Sequence, residues 1–252
     1  MSYLMRALSA ELLKTRRTLA IWMTVVTPLV VCTLQMLVLL RIQGPFSSDV
    51  RSAWDASSSN IFVIWAILAL PLFITLETAL LAQTEHSEKQ WKHLFALAVP
   101  RWAHYAAKWL VGACLLLLGH TFLAAGTLLT GYLMRWIKPE LNFGPTPPLQ
   151  WILETLGQMY LIALLMLSIH TWVSLHFRSF TVAVGVGMAA AVANIILINS
   201  ADGRHFFPWI LPVNALPISE SGYLPVALAI GILGGLVLAL VGGWEVTRRD
   251  VL

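Results

Sequence analysis

The sequence predicts an all-α fold: a polytopic membrane protein of six transmembrane helices, forming one transmembrane domain over residues 1–252. The first observation behind this is composition. Of the 252 residues 58% are apolar and 11% charged, and the mean hydropathy is +0.78, whereas soluble domains carry roughly 45–50% apolar and about 25% charged residues. The second is the arrangement of the apolar residues. Long apolar runs fall at about 19–40, 60–83, 109–134, 152–175, 179–201 and 221–244, each near or above the roughly 18 residues that a spanning helix needs. The third is what remains. The connections are short and leave no room for a large soluble domain, so a soluble enzyme and a disordered chain are both excluded.

Residues 1–18 precede the first run. Leu4, Met5, Leu8 and Leu12 share one arc of a helix, while Arg6, Lys14, Arg16 and Arg17 share the opposite one and Glu11 borders the apolar arc. This pattern fits an amphipathic helix lying along membrane lipid with its cations toward anionic headgroups; a plain basic flank that orients the first span is the alternative. The run from 19 to 40 is too long for the apolar region of a signal peptide, and Arg41-Ile42-Gln43-Gly44 offers no small-residue cleavage site. It is expected to stay in the membrane. The second run carries one acid, Glu77, and is bounded by Asp55 and Glu85.

Between the second and third runs lies the longest connection on the side of the termini, from Thr84 to Arg101. Ser87 with Gln90 three residues on reads as a capping box that opens a short helix, and Pro100 as its stop. Trp91, Leu94, Phe95 and Leu97, flanked by Glu88, Lys92 and His93, then form an apolar patch on a charged background. Such a patch suits either the docking of a soluble partner or rest on lipid. Of the 16 Lys and Arg residues, only Arg41, Arg51, Arg135, Lys138 and Arg204 fall on the face away from the termini. The excess on the other face places both termini in the cytoplasm of a cell that carries the chain in its inner membrane. The charge of +4 is this topological signal, and no nucleic-acid partner is read into it. Trp22, Trp102, Trp109, Trp136, Trp151 and Trp244 fall near span ends and read as interfacial anchors. Cys32 and Cys114 lie in apolar runs, which speaks against a disulfide or a zinc site, and no metal site is expected.

Ionisable groups inside spans are functional candidates, because a charge near the bilayer centre costs about 2.5–3.5 kcal/mol on insertion scales. Glu77 either meets a cationic substrate or pairs with a cation such as Lys108. His120 and His170 either line a path or bond to backbone and hydroxyl groups. Asn194 and Asn199 fit helix packing better than a pathway, and Gly185 with Ala189 and Gly231 with Gly235 have the small-residue spacing that lets helices approach. No G-x-x-x-x-G-K-[ST] occurs, so no ATP site of this kind is expected in the chain itself. Neither G-x-S-x-G nor H-E-x-x-H occurs, which leaves no catalytic residue to assign.

The stretch from Glu77 through Glu85-His86-Ser87-Glu88-Lys89-Gln90-Trp91-Lys92-His93-Leu94 to Val99-Pro100-Arg101 and Lys108 resembles the signature of ABC-2-type ABC transporter permeases, especially their lantibiotic-immunity-like group. Glu11-Leu12-Leu13-Lys14-Thr15-Arg16-Arg17, Phe207-Pro208-Trp209-Ile210-Leu211-Pro212 and the closing Arg248-Arg249-Asp250-Val251 are similar to the same pattern. The resemblance implies a half-size exporter permease that pairs with a second copy or a sister subunit. It also implies that about Ser87 to Leu97 is a coupling helix seated in a cytosolic ABC ATPase, and that residues 2–18 are a connecting helix. ATP and Mg would then be bound by that partner, with no cofactor in this chain. A short re-entrant turn is implied between the fifth and sixth spans, within Asp202 to Gly222. Two readings from other classes stand beside it: a polytopic membrane enzyme, and a self-contained secondary transporter with Glu77, His120 and His170 as a proton relay.

Overall fold

The computed structural model describes residues 3–16, 18–44, 53–87, 99–177, 179–198, 206–217 and 222–248. Every regular element among them is helical. Helix α1 (Tyr3–Thr15) precedes α2 (Leu19–Arg41). Helix α3 (Ala53–Ile64) continues through a π-helical turn, Trp65–Ala69, into α4 (Leu70–Ser87). Then come α5 (Arg101–Ile137), α6 (Leu149–His176) and α7 (Phe180–Leu197), and α8 (Leu224–Ala229) continues through a second π turn, Ile230–Gly234, into α9 (Gly235–Arg248). Six of these units, with α3–α4 and α8–α9 each taken as one, are long and apolar enough to cross a membrane.

The apolar runs therefore locate every span, while the boundaries move. The second span begins at Ala53 rather than near 60, and its first turn takes in Asp55, a place where the helix dipole favours a carboxylate. Helix α5 begins at Arg101, directly after Pro100, because a proline is accommodated where the first turn has no use for its missing N–H. At the other boundary, α4 continues through Ser87. The capping box expected of Ser87 with Gln90 extends beyond the described residues. Glu88, Trp91, Lys92, Leu94, Phe95 and Leu97, like Arg17, lie outside the described residues.

Helices α3–α4, α5 and α6 form the centre, and α2, α7 and α8–α9 lie at its edges. Phe62, Trp65, Leu70, Phe73 and Ile74 of the second span meet Leu116 and Leu123 of α5 and Met159, Ile162 and Leu167 of α6 in one core. A 3-10 turn, Leu211–Ala215, is inserted into the same core and is buried throughout. The edge helices show apolar faces: Leu29, Val30 and Leu37 of α2, Met188, Val192 and Ile196 of α7, and Val237 and Leu240 of α9 are exposed. Lipid tails suit such faces. Trp22, Trp102, Trp136 and Trp244 are exposed near helix ends, Trp136 at 84%, as an interfacial belt requires. Two of the expected anchors turn inward instead. The Trp109 indole donates to Ser168 Oγ at 2.8 Å, and Trp151 stacks on Phe62.

Glycine sets the closest helix contact. A Cβ on Gly231 would lie 2.4 Å from Ile162 Cα, and one on Gly235 would lie 2.9 Å from the Leu164 carbonyl carbon, so α8–α9 touches the α6 backbone directly. The other expected pair behaves differently. Gly185 faces open space, and the packed glycine of α7 is Gly187, which lies against the side chain of Thr75.

The π turn in the second span has a cause in the sequence. Pro71 carries no N–H, so the carbonyl four residues earlier, that of Ile67, loses its helical partner, and the proline ring crowds it. The extra residue of a π turn absorbs that crowding. Asn194 of α7 supplies the missing donor, its Nδ2 donating to Ile67 O at 2.8 Å. Asn194→Ala should therefore lower stability by about 1 kcal/mol, within the range of interhelical hydrogen bonds in membranes. Thermal unfolding in detergent measures this, and faster amide exchange confined to residues 65–71 identifies the cause; unchanged exchange there would refute the assignment.

Candidate functional site: buried polar groups in an apolar bundle

The first polar group ties α1 to the bundle. Ala7, Glu11 and Thr15 recur at helical spacing and are the residues that α1 buries, against Ala103 and Ala107 of α5. Leu12, Leu13 and Met5 stay exposed. The seat on the protein is thus a small-residue stripe centred on an acid, and the leucine arc read from the sequence lies beside it. Arg6 and Arg16 are exposed and Lys14 is half-buried. Lys108 Nζ donates to Glu11 Oε2 at 2.8 Å and to the Leu81 carbonyl at 2.9 Å, and Lys14 bonds the other Glu11 oxygen at 3.0 Å. Both Lys108 and Glu11 are buried, with side chains 4% and 3% exposed. Burial pushes the Glu11 carboxyl up, but the adjacent Lys108 and then Lys14 outweigh it and hold the group below the usual carboxylate range. One ion pair thus joins α1, α5 and the last turns of α4.

A second set of polar groups runs between α4, α5, α6 and the inserted turn. The His170 ring is fully buried, and its Nε2 lies 3.1 Å from Trp209 Nε1 and 3.3 Å from Thr75 Oγ1. An indole N–H can only donate, so Nε2 accepts and the proton of the neutral ring sits on Nδ1. His120 repeats the arrangement. Its Nε2 accepts from Trp65 Nε1 at 3.4 Å and its Nδ1 bonds Leu116 O at 2.9 Å. Ser174 Oγ bonds Thr78 Oγ1, and Ser168 Oγ donates to Gly235 O. These are helix-to-helix bonds that satisfy buried polar atoms, and the two imidazoles are each saturated on Nε2 by tryptophan. Neither histidine adjoins Glu77 through a hydrogen bond, so the relay of Glu77, His120 and His170 is not assembled in this conformation.

Trp209 places the residues before the 3-10 turn deep in the bundle. His170 is about 30 Å of helix rise from Leu149, so the Trp209 indole meets α6 far from that helix's start. Neither indole partner is visible in the spacing of the histidines; only the excess of aromatic residues at Phe206, Phe207 and Trp209 marks the segment as something other than a free loop.

Glu77 is the third element. It is wholly buried, and among the described residues no group bonds either carboxylate oxygen. It faces Gly112 of α5, where an added Cβ would lie 3.6 Å from Glu77 Oε1 and 3.1 Å from Leu167 of α6. The cation expected to pair with it, Lys108, is bonded to Glu11 instead. Glycine at 112 is what leaves room for a carboxyl group at this three-helix contact.

Six membrane-length helices that enclose these polar groups define a multi-pass membrane protein. The model of the family described as ABC-2 family transporter protein matches residues 7–194, about three-quarters of the chain. The chain belongs to that family and is a membrane permease component of an ABC transporter. Searches of curated proteins and of solved structures give no match.

Proposed function

We propose that this chain is the permease subunit of an ATP-driven exporter, working as a homodimer or with a sister subunit and powered by a separate cytosolic ATPase. The single observation that carries the reading is the family match over residues 7–194, which takes in α1 from Ala7 onward, its seat on α5, and the segment 88–98. In this reading residues from about Ser87 to Leu97 form the coupling helix, with Glu88, Trp91, Lys92, Leu94, Phe95 and Leu97 as the contact to the ATPase. Helix α1 is the connecting helix, with Glu11 and Lys14 at its seat on the bundle and the exposed Arg6 and Arg16 facing lipid headgroups and cytosol. The termini lie in the cytoplasm and the protein in the inner membrane. The ATPase binds ATP and Mg and closes on them, the coupling helices move with it, and the bundle alternates between two shapes. Cargo is an amphipathic molecule taken from the bilayer, such as a peptide of the lantibiotic type, a lipid or a drug, because the apolar edge helices offer no aqueous binding domain.

The test is co-purification. The chain, solubilised in detergent from cells that express it naturally, should retain a cytosolic ABC ATPase, and Trp91→Ala combined with Phe95→Ala should lose at least about ten-fold of it, as expected for removal of two aromatic anchors. Flux driven by a proton gradient in vesicles that contain the chain alone would refute the proposal.

A further inference from the structure

We infer that the cleft at the start of α6 is a binding site for a cationic amphiphile, a molecule with one ammonium group and one apolar chain, held by Glu154 and Trp151. The inference rests on the reading of the chain as a permease and narrows its cargo to that class. Three observations carry it. The cleft measures about 490 Å³ and is lined by Pro147, Pro148, Leu149, Gln150, Trp151 and Glu154, a size within the range of roughly 300–1,000 Å³ that small-molecule sites occupy. This lining has one acid and no Lys, Arg or His. Its polar wall is already arranged. Gln150 Nε2 donates to Glu154 Oε1 at 2.8 Å, which orients the carboxylate and leaves Oε2 unbonded among the described residues, and the Trp151 ring is held on Phe62 with centroids 5.6 Å apart. An apolar wall runs beside it: Leu149 and Leu153, 47% and 54% exposed, follow each other by one helical turn next to the row of Gln150 and Glu154.

The two rows fix the class of ligand. A carboxylate and an indole attract an ammonium group, by charge and through the electron-rich face of the ring, and the leucine row takes a hydrocarbon chain. Glu154 is exposed, so its charge alone gives little and the aromatic and apolar walls supply the rest. An anion finds little to bind: Pro147 and Pro148 have no N–H, that of Leu149 is engaged by Pro147 O at 2.8 Å, and the carboxylate repels it. The same argument separates a free cationic amphiphile from a zwitterionic lipid, whose phosphate sits beside its ammonium and meets no cation in this lining. With the termini in the cytoplasm, this end of α6 is on the far side of the membrane. A cargo molecule there lays its chain along the leucines and its head group in the cleft, which makes the site a point of exit.

The test uses the whole chain in dodecyl maltoside with no ATPase present, so a failure here leaves the ATPase proposal standing, and a failure of co-purification leaves this site standing. Dodecyltrimethylammonium is dialysed to equilibrium against the protein, with protein-free micelles as the blank. One saturable site per chain is expected, weakened about five-fold in Glu154→Gln and at least about twenty-fold in Glu154→Lys; the position is exposed, so both variants keep the fold. Glu140→Gln, at another exposed acid on the same side, should change the affinity by less than about two-fold. No saturable binding above the blank overturns the inference, and so do equal losses in Glu140→Gln and Glu154→Gln, the mark of a diffuse surface charge. Dodecyl sulfate, with the same chain and the opposite charge, should find no saturable site, and binding as tight as that of the cation overturns the inference as well. A last arm adds phosphatidylethanolamine. Unchanged binding of the probe is expected; its displacement by an equal concentration of the lipid would make the occupant a lipid head group and refute a free amphiphile.

Discussion

Lys108→Ala will destabilise the protein by about 3–5 kcal/mol, the range found when one partner of a buried ion pair is removed. The substitution leaves the Glu11 carboxylate, 3% exposed, with Lys14 as its one cation among the described residues, and it withdraws the contact that joins α5 to the Leu81 carbonyl. The loss should exceed that of Glu11→Gln, because the amide of Glu11→Gln can still accept a hydrogen bond from Lys108, whereas Lys108→Ala leaves Glu11 Oε2 without that donor. The pH dependence gives the sign. Glu11 is held below its unfolded value of about 4.3, so its contribution is complete above that value and is lost as pH falls through the lower folded one. The wild-type melting temperature should therefore drop below about pH 4–5 by a share that the Lys108→Ala protein does not show. Equal acid sensitivity in the two proteins would remove Glu11 from the account of α1 docking.

Gly231→Ala is the second large effect. The new methyl group would lie 2.4 Å from Ile162 Cα and 2.9 Å from its carbonyl oxygen. Both are backbone atoms of α6 and have no rotamer to escape into. Helix α8–α9 must move away, and with it goes the bond from Ser168 Oγ to Gly235 O at 2.7 Å. Overpacking of this kind costs about 1–3 kcal/mol, and the lost hydrogen bond adds about 1. Gly185→Ala is the control, since Gly185 lies inside a helix with open space around it, and its stability should be unchanged or rise by up to about 1 kcal/mol. If both substitutions behave alike, the glycine contact on α6 is not what holds the sixth span.

The six spans were legible because apolar length is a property of consecutive residues. The polar contacts were not, because each depends on a residue far away in the chain. Glu11 reads as a blemish on an amphipathic helix until Lys108 is seen beside it, 97 positions on. Pro71 announces that the Ile67 carbonyl lacks a partner, but nothing in the spacing says that Asn194 will provide one. His170 carries no mark of Trp209. Periodicity was also misleading in one respect: the leucines of α1 outrank Ala7 and Thr15 in hydrophobicity, yet it is the smaller residues that permit contact with Ala103 and Ala107. The expected pairing of Glu77 with Lys108 missed the competing acid on α1, Glu11, to which the lysine is bonded.

The π turn in the second crossing is braced from outside. Ile67 O is held by a side chain of the fifth crossing, and Gly187 of that crossing lies against Thr75 two turns further along. The second crossing therefore behaves as an elbow whose angle is fixed by a strut, and sliding the strut and flexing the elbow are a single motion.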